Sequence, residues 1–291
     1  MCYDCSAEPN KAGTSRRSFT RFLAAGAGLT VLAACTPEAP KAVAPSSAAP
    51  SVSPSPAAVT AAASPTADPP TAAPAPPEPS PTPSPSAALP RQFSLTDPAS
   101  PWLIVNKHRP LVPATYVPAD LMQPAVATTA SGEAALLNST TAAAAEAMFA
   151  AAARDGVSMV LASGYRSYST QAATYNGYVA SRGQADADTA SARPGYSEHQ
   201  TGWAFDIADG SGVCGFQPCF ADQPAAVWAK ANGHRFGFVV RYPWMFHPIT
   251  GYYYEPWHLR YIGVEAATDM ANRGIFTLEE YFGVEPAPGY L

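Results

Sequence analysis

Long apolar runs, basic stripes and cysteines are all scarce in this chain. The longest apolar stretch, residues 22–34, holds about thirteen residues, well short of the ~20 that cross a bilayer as a helix. A membrane-spanning reading is therefore weak. Lysine and arginine number 17 against 22 aspartates and glutamates. Residues 1–35 take four of the basic and two of the acidic residues, which leaves 13 basic and 20 acidic in the remainder. No basic stripe exists to neutralise phosphates, which argues against a nucleic-acid partner. Of the five cysteines, Cys2, Cys5 and Cys35 fall in the N-terminal stretch, so only Cys214 and Cys219 remain beyond it. A cysteine-ribbon zinc site has no second pair to use. An isolated pair in an exported chain reads instead as a disulfide. No internal repeat is present.

What is abundant is proline. Most of the 32 prolines fall between Thr36 and Pro90, among alanine, serine and threonine. Such a segment cannot bury enough apolar surface to offset its chain entropy and reads as an extended, disordered stalk. Ahead of it, Arg16-Arg17-Ser18-Phe19 followed by the short apolar run has the layout of a signal peptide, and the paired arginines resemble a twin-arginine export signal. The run closes on Leu32-Ala33-Ala34-Cys35, which resembles a lipobox, with Cys35 as the lipidated residue. The expected organisation is a lipoprotein signal at 1–35, a linker at 36–92 and one globular domain at 93–291. The expected location is the outer face of the cytoplasmic membrane, facing the cell wall, with a monomer as the default.

Within the globular part, residues 140–154 suit a helix ended by Asp155-Gly156, and 157–162 a short strand. A second helix is expected over 168–181, a loop over 182–197 and a strand over 203–207. A helix at 224–232 opens on a proline, and a strand follows at 236–241. Helices and strands mixed without a regular strand-helix-strand period argue for an α+β fold.

Chemistry concentrates in Ser197-Glu198-His199-Gln200-Thr201-Gly202-Trp203-Ala204-Phe205-Asp206. A loop histidine and an aspartate at a strand end supply one nitrogen and one oxygen, both accepted by zinc. Gly202 and Ala204 are small enough for the chain to double back and bring the two together. The spacing alone is common. Glu255-Pro256-Trp257-His258 adds a histidine three residues from a carboxylate able to act as general base, and three protein ligands leave a fourth position for water. Ser163-Gly164-Tyr165-Arg166-Ser167-Tyr168 places an arginine at a turn, where it could pair with a carboxylate or steady an oxyanion. His108, His234 and His247 read as structural, Asp209 as a turn residue, and Tyr252-Tyr253-Tyr254 as strand packing.

Taken together and in this order, the three segments resemble the VanY-like zinc D-alanyl-D-alanine carboxypeptidases. Val105-Asn106-Lys107 and Tyr116-Val117-Pro118 are similar to that family's opening segment. The resemblance implies a hedgehog/DD-peptidase-like α+β domain with a small antiparallel sheet flanked by helices. It implies Zn2+ held by His199, Asp206 and His258, with Glu255 as base and Arg166 as oxyanion or carboxylate partner. Ser197, Gln171, Tyr165 and Trp257 are the implied substrate contacts. The implied substrate is a peptidoglycan stem peptide. D,D-carboxypeptidase, L,D-carboxypeptidase and endopeptidase action on that stem stay open, as does a non-catalytic wall-binding lipoprotein. The stretch 210–220, with its cysteine pair, exceeds the family's core pattern.

Overall fold

The chain is described by a computed structural model over residues 89–291. The expected signal, most of the linker and Cys35 lie outside the described residues. Helix α1 (Ser139–Arg154) starts where the Asn138 side chain accepts a hydrogen bond from the Thr141 amide at 2.8 Å, a standard N-cap. Its Ala142, Ala145, Met148, Phe149 and Ala152 recur at helical spacing and are buried. They form one side of the main core. Helix α2 (Tyr168–Arg182) is capped by Ser167 and stops at Gly183, whose φ is +81°. Where a loop is expected after it, the chain forms a second short helix, α3 (Gln184–Ala190). The left-handed glycine breaks the path without ending helicity, and the alanines between the polar residues let α3 fold back on α2 and bury Ala187.

Two short strands, β1 (Leu121–Met122) and β2 (Leu137–Asn138), pair beside α1. The main sheet comprises β3 (Met159–Ser163), β4 (Ala204–Asp209), β5 (Phe238–Tyr242) and β6 (Glu255–Tyr261). All its neighbours are antiparallel, in the order β3-β4-β6-β5. Alternation of side chains across the pleat sorts these strands. Met159, Leu161, Phe205, Ile207, Phe238 and Leu259 point to one face and pack with α1 and with α4 (Pro224–Asn232). On the opposite face lie Asp206, Arg241, His258 and Arg260, all buried.

That polar face is covered by the segment leading into the domain. Trp102 donates its indole N–H to the Ile262 carbonyl at 2.9 Å. It packs in a second core with α6 (Val264–Arg273) and with Leu278 of α7 (Leu278–Phe282). Arg260 donates to the Pro101 and Leu103 carbonyls, each at 2.9 Å. A further short helix, α5 (His247–Thr250), precedes β6. Tyr252, Tyr253 and Tyr254 lie in the turn between them rather than in a strand.

A 3-10 turn at Glu198–Thr201 joins this architecture to the site, and it ends on Gly202 at φ +68°. A Cβ there would lie 2.7 Å from the Asn138 amide nitrogen, so glycine is needed for both conformation and space. Replacing Gly202 with alanine is expected to cost about 2 kcal/mol, measured as a shift of the denaturant midpoint. An unchanged midpoint would contradict this.

Candidate active site

Asp206 on β4 and His258 on β6 are cross-strand partners in register, so their side chains rise from the same face of the sheet. Their closest atoms, Asp206 Oδ1 and His258 Nδ1, are 3.1 Å apart. His199, delivered by the 3-10 turn, places Nε2 3.3 Å from Asp206 Oδ2, and the two imidazoles stand nearly perpendicular at 87°. One ligand atom from each residue lies within 4.8 Å of the others. A tetrahedron with bonds of ~2.0 Å has edges of about 3.3 Å, close to the contact each imidazole makes with Asp206, and the donor set of two nitrogens and one oxygen is one that zinc accepts.

The outer ring nitrogens are already committed. His199 Nδ1 lies 2.7 Å from the Gly164 carbonyl, and His258 Nε2 lies 3.2 Å from Glu198 Oε2. These contacts leave His199 Nε2 and His258 Nδ1 facing Asp206, the arrangement in which outer partners set ring orientation. Burial opposes charge on both imidazoles. It prevails at His199, whose pKa is lowered. At His258 the hydrogen bonds its ring donates to Asp206 and Glu198, with the charges of Asp206 and Glu255, outweigh it and raise the pKa to about 9.

Glu198 is itself held in a buried charge network. Its Oε1 accepts from Arg241 Nε at 2.7 Å and from Arg260 Nη1 at 3.1 Å. Arg241 forks onto Glu279 at 2.7 and 3.0 Å, and Glu279 accepts from Asn106. Burial alone would raise the Glu198 pKa, but the two guanidiniums hold it well below the usual carboxylate range.

Glu255 opens β6, with Oε2 3.8 Å from His258 Nδ1. Burial, the largest influence, pushes its pKa up to about 8, with Asp206 and Glu198 acting the same way and His258 and Arg166 opposing. A cleft of about 490 Å3 opens over these groups and is lined also by Arg166, Ser197 and Trp257, within the size range of ligand pockets.

The VanY family, described as D-alanyl-D-alanine carboxypeptidase, matches residues 134–264. YodJ of Bacillus subtilis (strain 168) is 37% identical over 191 residues, covering 65% of this chain and 69% of its own. The LdcB LD-carboxypeptidase structure is 38% identical with a TM-score of 0.61, covering 65% of this chain and 88% of its own. The vancomycin-resistance D,D-pentapeptidase VanY from a VanB-type cassette, solved with Zn(II), is 36% identical. Its TM-score is 0.52, with coverage of 62% of this chain and 97% of its own. The chain belongs to the VanY family of D-alanyl-D-alanine carboxypeptidases. With it, the chain joins the zinc metallopeptidases, and its α+β fold is the one these VanY and LdcB structures share.

Among the site residues expected from sequence, the structure brings His199, Asp206, His258, Glu255, Arg166, Ser197 and Trp257 to one cleft. Two expected contacts of this VanY-family chain do not line the cleft. Gln171 is fully buried. It accepts from Arg166 Nη1 at 3.1 Å and donates to Ser191 Oγ at 3.1 Å, so it positions the arginine from behind. Tyr165 is also buried, its amide bonded to the Leu136 carbonyl at 2.7 Å. The turn that turns Arg166 toward the cleft turns Tyr165 inward. Asp209 stands outside the His199, Asp206 and His258 group and accepts from the Ser211 and Ala225 amides. Tyr252, Tyr253 and Tyr254 line the cleft.

Sequence reasoning did not single out Glu198, Arg241, Arg260 or Glu279. The signal for Arg260 was present, since it follows His258 by two residues and so shares its strand face. Glu198→Gln is expected to weaken zinc binding at least tenfold by freeing the His258 ring and to cost about 3 kcal/mol by leaving two buried guanidiniums undercompensated. Competitive chelator titration and chemical denaturation read these effects. Wild-type zinc affinity in this variant would contradict the positioning role.

Proposed function

We propose that this chain hydrolyses the terminal peptide bond of peptidoglycan stem peptides, releasing D-alanine. The observation that carries the reading is the convergence of His199, Asp206 and His258 with Glu255 at the floor of one cleft. Zinc held by the first three would supply Lewis acidity, polarising a carbonyl and bringing the pKa of water toward neutrality. Glu255, partly open to the cleft, takes the proton of the attacking water and passes it to the leaving amine. Arg166 is braced by Gln171 and by Ser163 Oγ at 3.2 Å. Its guanidinium is oriented to hold a substrate carboxylate or the developing oxyanion.

The likeness to LdcB, an LD-carboxypeptidase with the higher TM-score of the two structures compared, supports a second reading in which the terminal bond of a tetrapeptide is cut. Endopeptidase cleavage would instead give internal fragments. We further place the protein outside the cytoplasmic membrane as a monomer anchored through lipid at Cys35. The export and lipobox motifs support that reading, as does the Cys214–Cys219 disulfide, a bond typical of oxidising compartments. Among the described residues no helix is long and apolar enough to cross a membrane.

Mass spectrometry of defined stems tests the activity. A pentapeptide is expected to lose a single alanine, and chelation is expected to abolish the release. Release that survives thorough metal removal would defeat the mechanism. Glu255→Ala is expected to keep its zinc and to lose activity by about 10²- to 10⁴-fold; near-normal turnover would remove Glu255 as base. In cells, Cys35→Ala is expected to move the protein from the membrane to the soluble fraction. Unchanged membrane association would refute the anchor.

A further inference from the structure

The stretch 210–220 is the part of the domain that the catalytic groups do not account for. Its two ends are fixed. At the start, Asp209 accepts from the Ser211 amide at 3.0 Å and from the Ala225 amide at 3.3 Å, pinning the exit of β4 to the start of α4. At the end, Phe220 is fully buried in the main core. Between them the Cys214–Cys219 disulfide closes a loop of five-residue separation, and the Gln217 amide bonds to the Cys214 carbonyl at 3.1 Å. Clipping so short a segment removes much of its freedom.

The loop uses that rigidity to present an aromatic ring outward. Phe216 is 53% exposed and sits at φ +54°, with Cys214 at +60°. Both lie in the left-handed region that residues other than glycine rarely occupy. The Phe216 ring meets Trp257 edge to face, with centroids 6.0 Å apart. Trp257 adjoins His258 in the chain, and Phe216, Pro218 and Trp257 all line the cleft above the His-Asp-His cluster. An apolar ring held half-exposed beside the chemistry has area left to bury against a ligand.

We propose that Phe216, held by the Cys214–Cys219 clip, is a substrate-binding residue. With Trp257 it forms an apolar wall that grips the backbone and aliphatic side chains of the peptide preceding the scissile bond. The inference rests on the proposed function and deepens it. In the proposed function the carboxylate of the terminal residue is held by Arg166, which Gln171 and Ser163 brace. The apolar wall is then left for residues on the other side of the bond, which makes it a determinant of how long a peptide is preferred. The step is non-covalent: the disulfide shapes the wall and takes no part in the reaction.

Binding without turnover separates this inference from the catalytic reading. The zinc-loaded Glu255→Ala chain is titrated calorimetrically with a stem pentapeptide, alone and combined with Phe216→Ala, Phe216→Trp or Cys214→Ser/Cys219→Ser. The expected result is a Kd about tenfold weaker for Phe216→Ala, matched by the double cysteine variant and restored to within about twofold by tryptophan. In the active chain, Phe216→Ala is expected to raise KM by a similar factor with little change in kcat. A Kd within about twofold of the parent for Phe216→Ala would overturn the proposal. So would a loss of affinity that tryptophan does not rescue and that tracks a lowered thermal midpoint. Failure of the wild-type chain to release alanine would defeat the catalytic reading alone, since the titration reports on the wall independently.

Discussion

The site depends on one pairing: Asp206 of β4 stands directly across from His258 of β6 in an antiparallel ladder. Strand pairing with a fixed register is a stiff way to hold two candidate ligands that lie 52 residues apart, because a slip of one residue would send either side chain to the opposite face. That opposite face carries Phe205 and Leu259, fully buried against the helices. The apolar core therefore enforces the polar geometry. Only the third candidate ligand, His199, comes from a turn, and there Gly202 and the Gly164 carbonyl fix the approach.

Holding this cluster inside the protein has an electrostatic cost, which the surrounding charges offset. Glu198 is buried with Arg241 and Arg260 against it, and Glu279 takes the other side of Arg241. An ion network of this kind adds little net stability over apolar packing, since each charge must first be desolvated. Its value here is orientation. The carboxylate beneath His258 leaves the ring a single productive nitrogen toward Asp206. Arg260 extends the same network to the Pro101 and Leu103 carbonyls, so the segment entering the domain is tied to the floor of the site.

Much of this was legible from sequence because it rests on local pattern. The alanine run that becomes α1, the proline that opens α4 and the short apolar runs that become β3 and β5 are visible locally, whereas β6, which carries Glu255 and His258, is not among the strands the sequence leads one to expect. His199, Asp206, Glu255 and His258 stood out by residue type and order. Less legible was whatever depends on distant partners. Helix α3 follows a glycine that reads as a stop, and its identity depends on folding back against α2. Gln171 is a substrate contact by the family resemblance, yet its side chain is fully buried and bonds to Arg166 and Ser191. Glu198 was hidden beside a conspicuous histidine, and its role becomes visible only when strands β5 and β6 deliver two arginines to it.

The central claim is that two imidazoles and one carboxylate from three separate segments hold a single zinc ion. Anomalous diffraction at the zinc edge from crystals of the zinc-loaded chain tests it most directly. The account predicts one strong peak between His199 Nε2, Asp206 and His258 Nδ1. A strong peak elsewhere, or none at these three residues in protein shown to contain stoichiometric zinc, would contradict it.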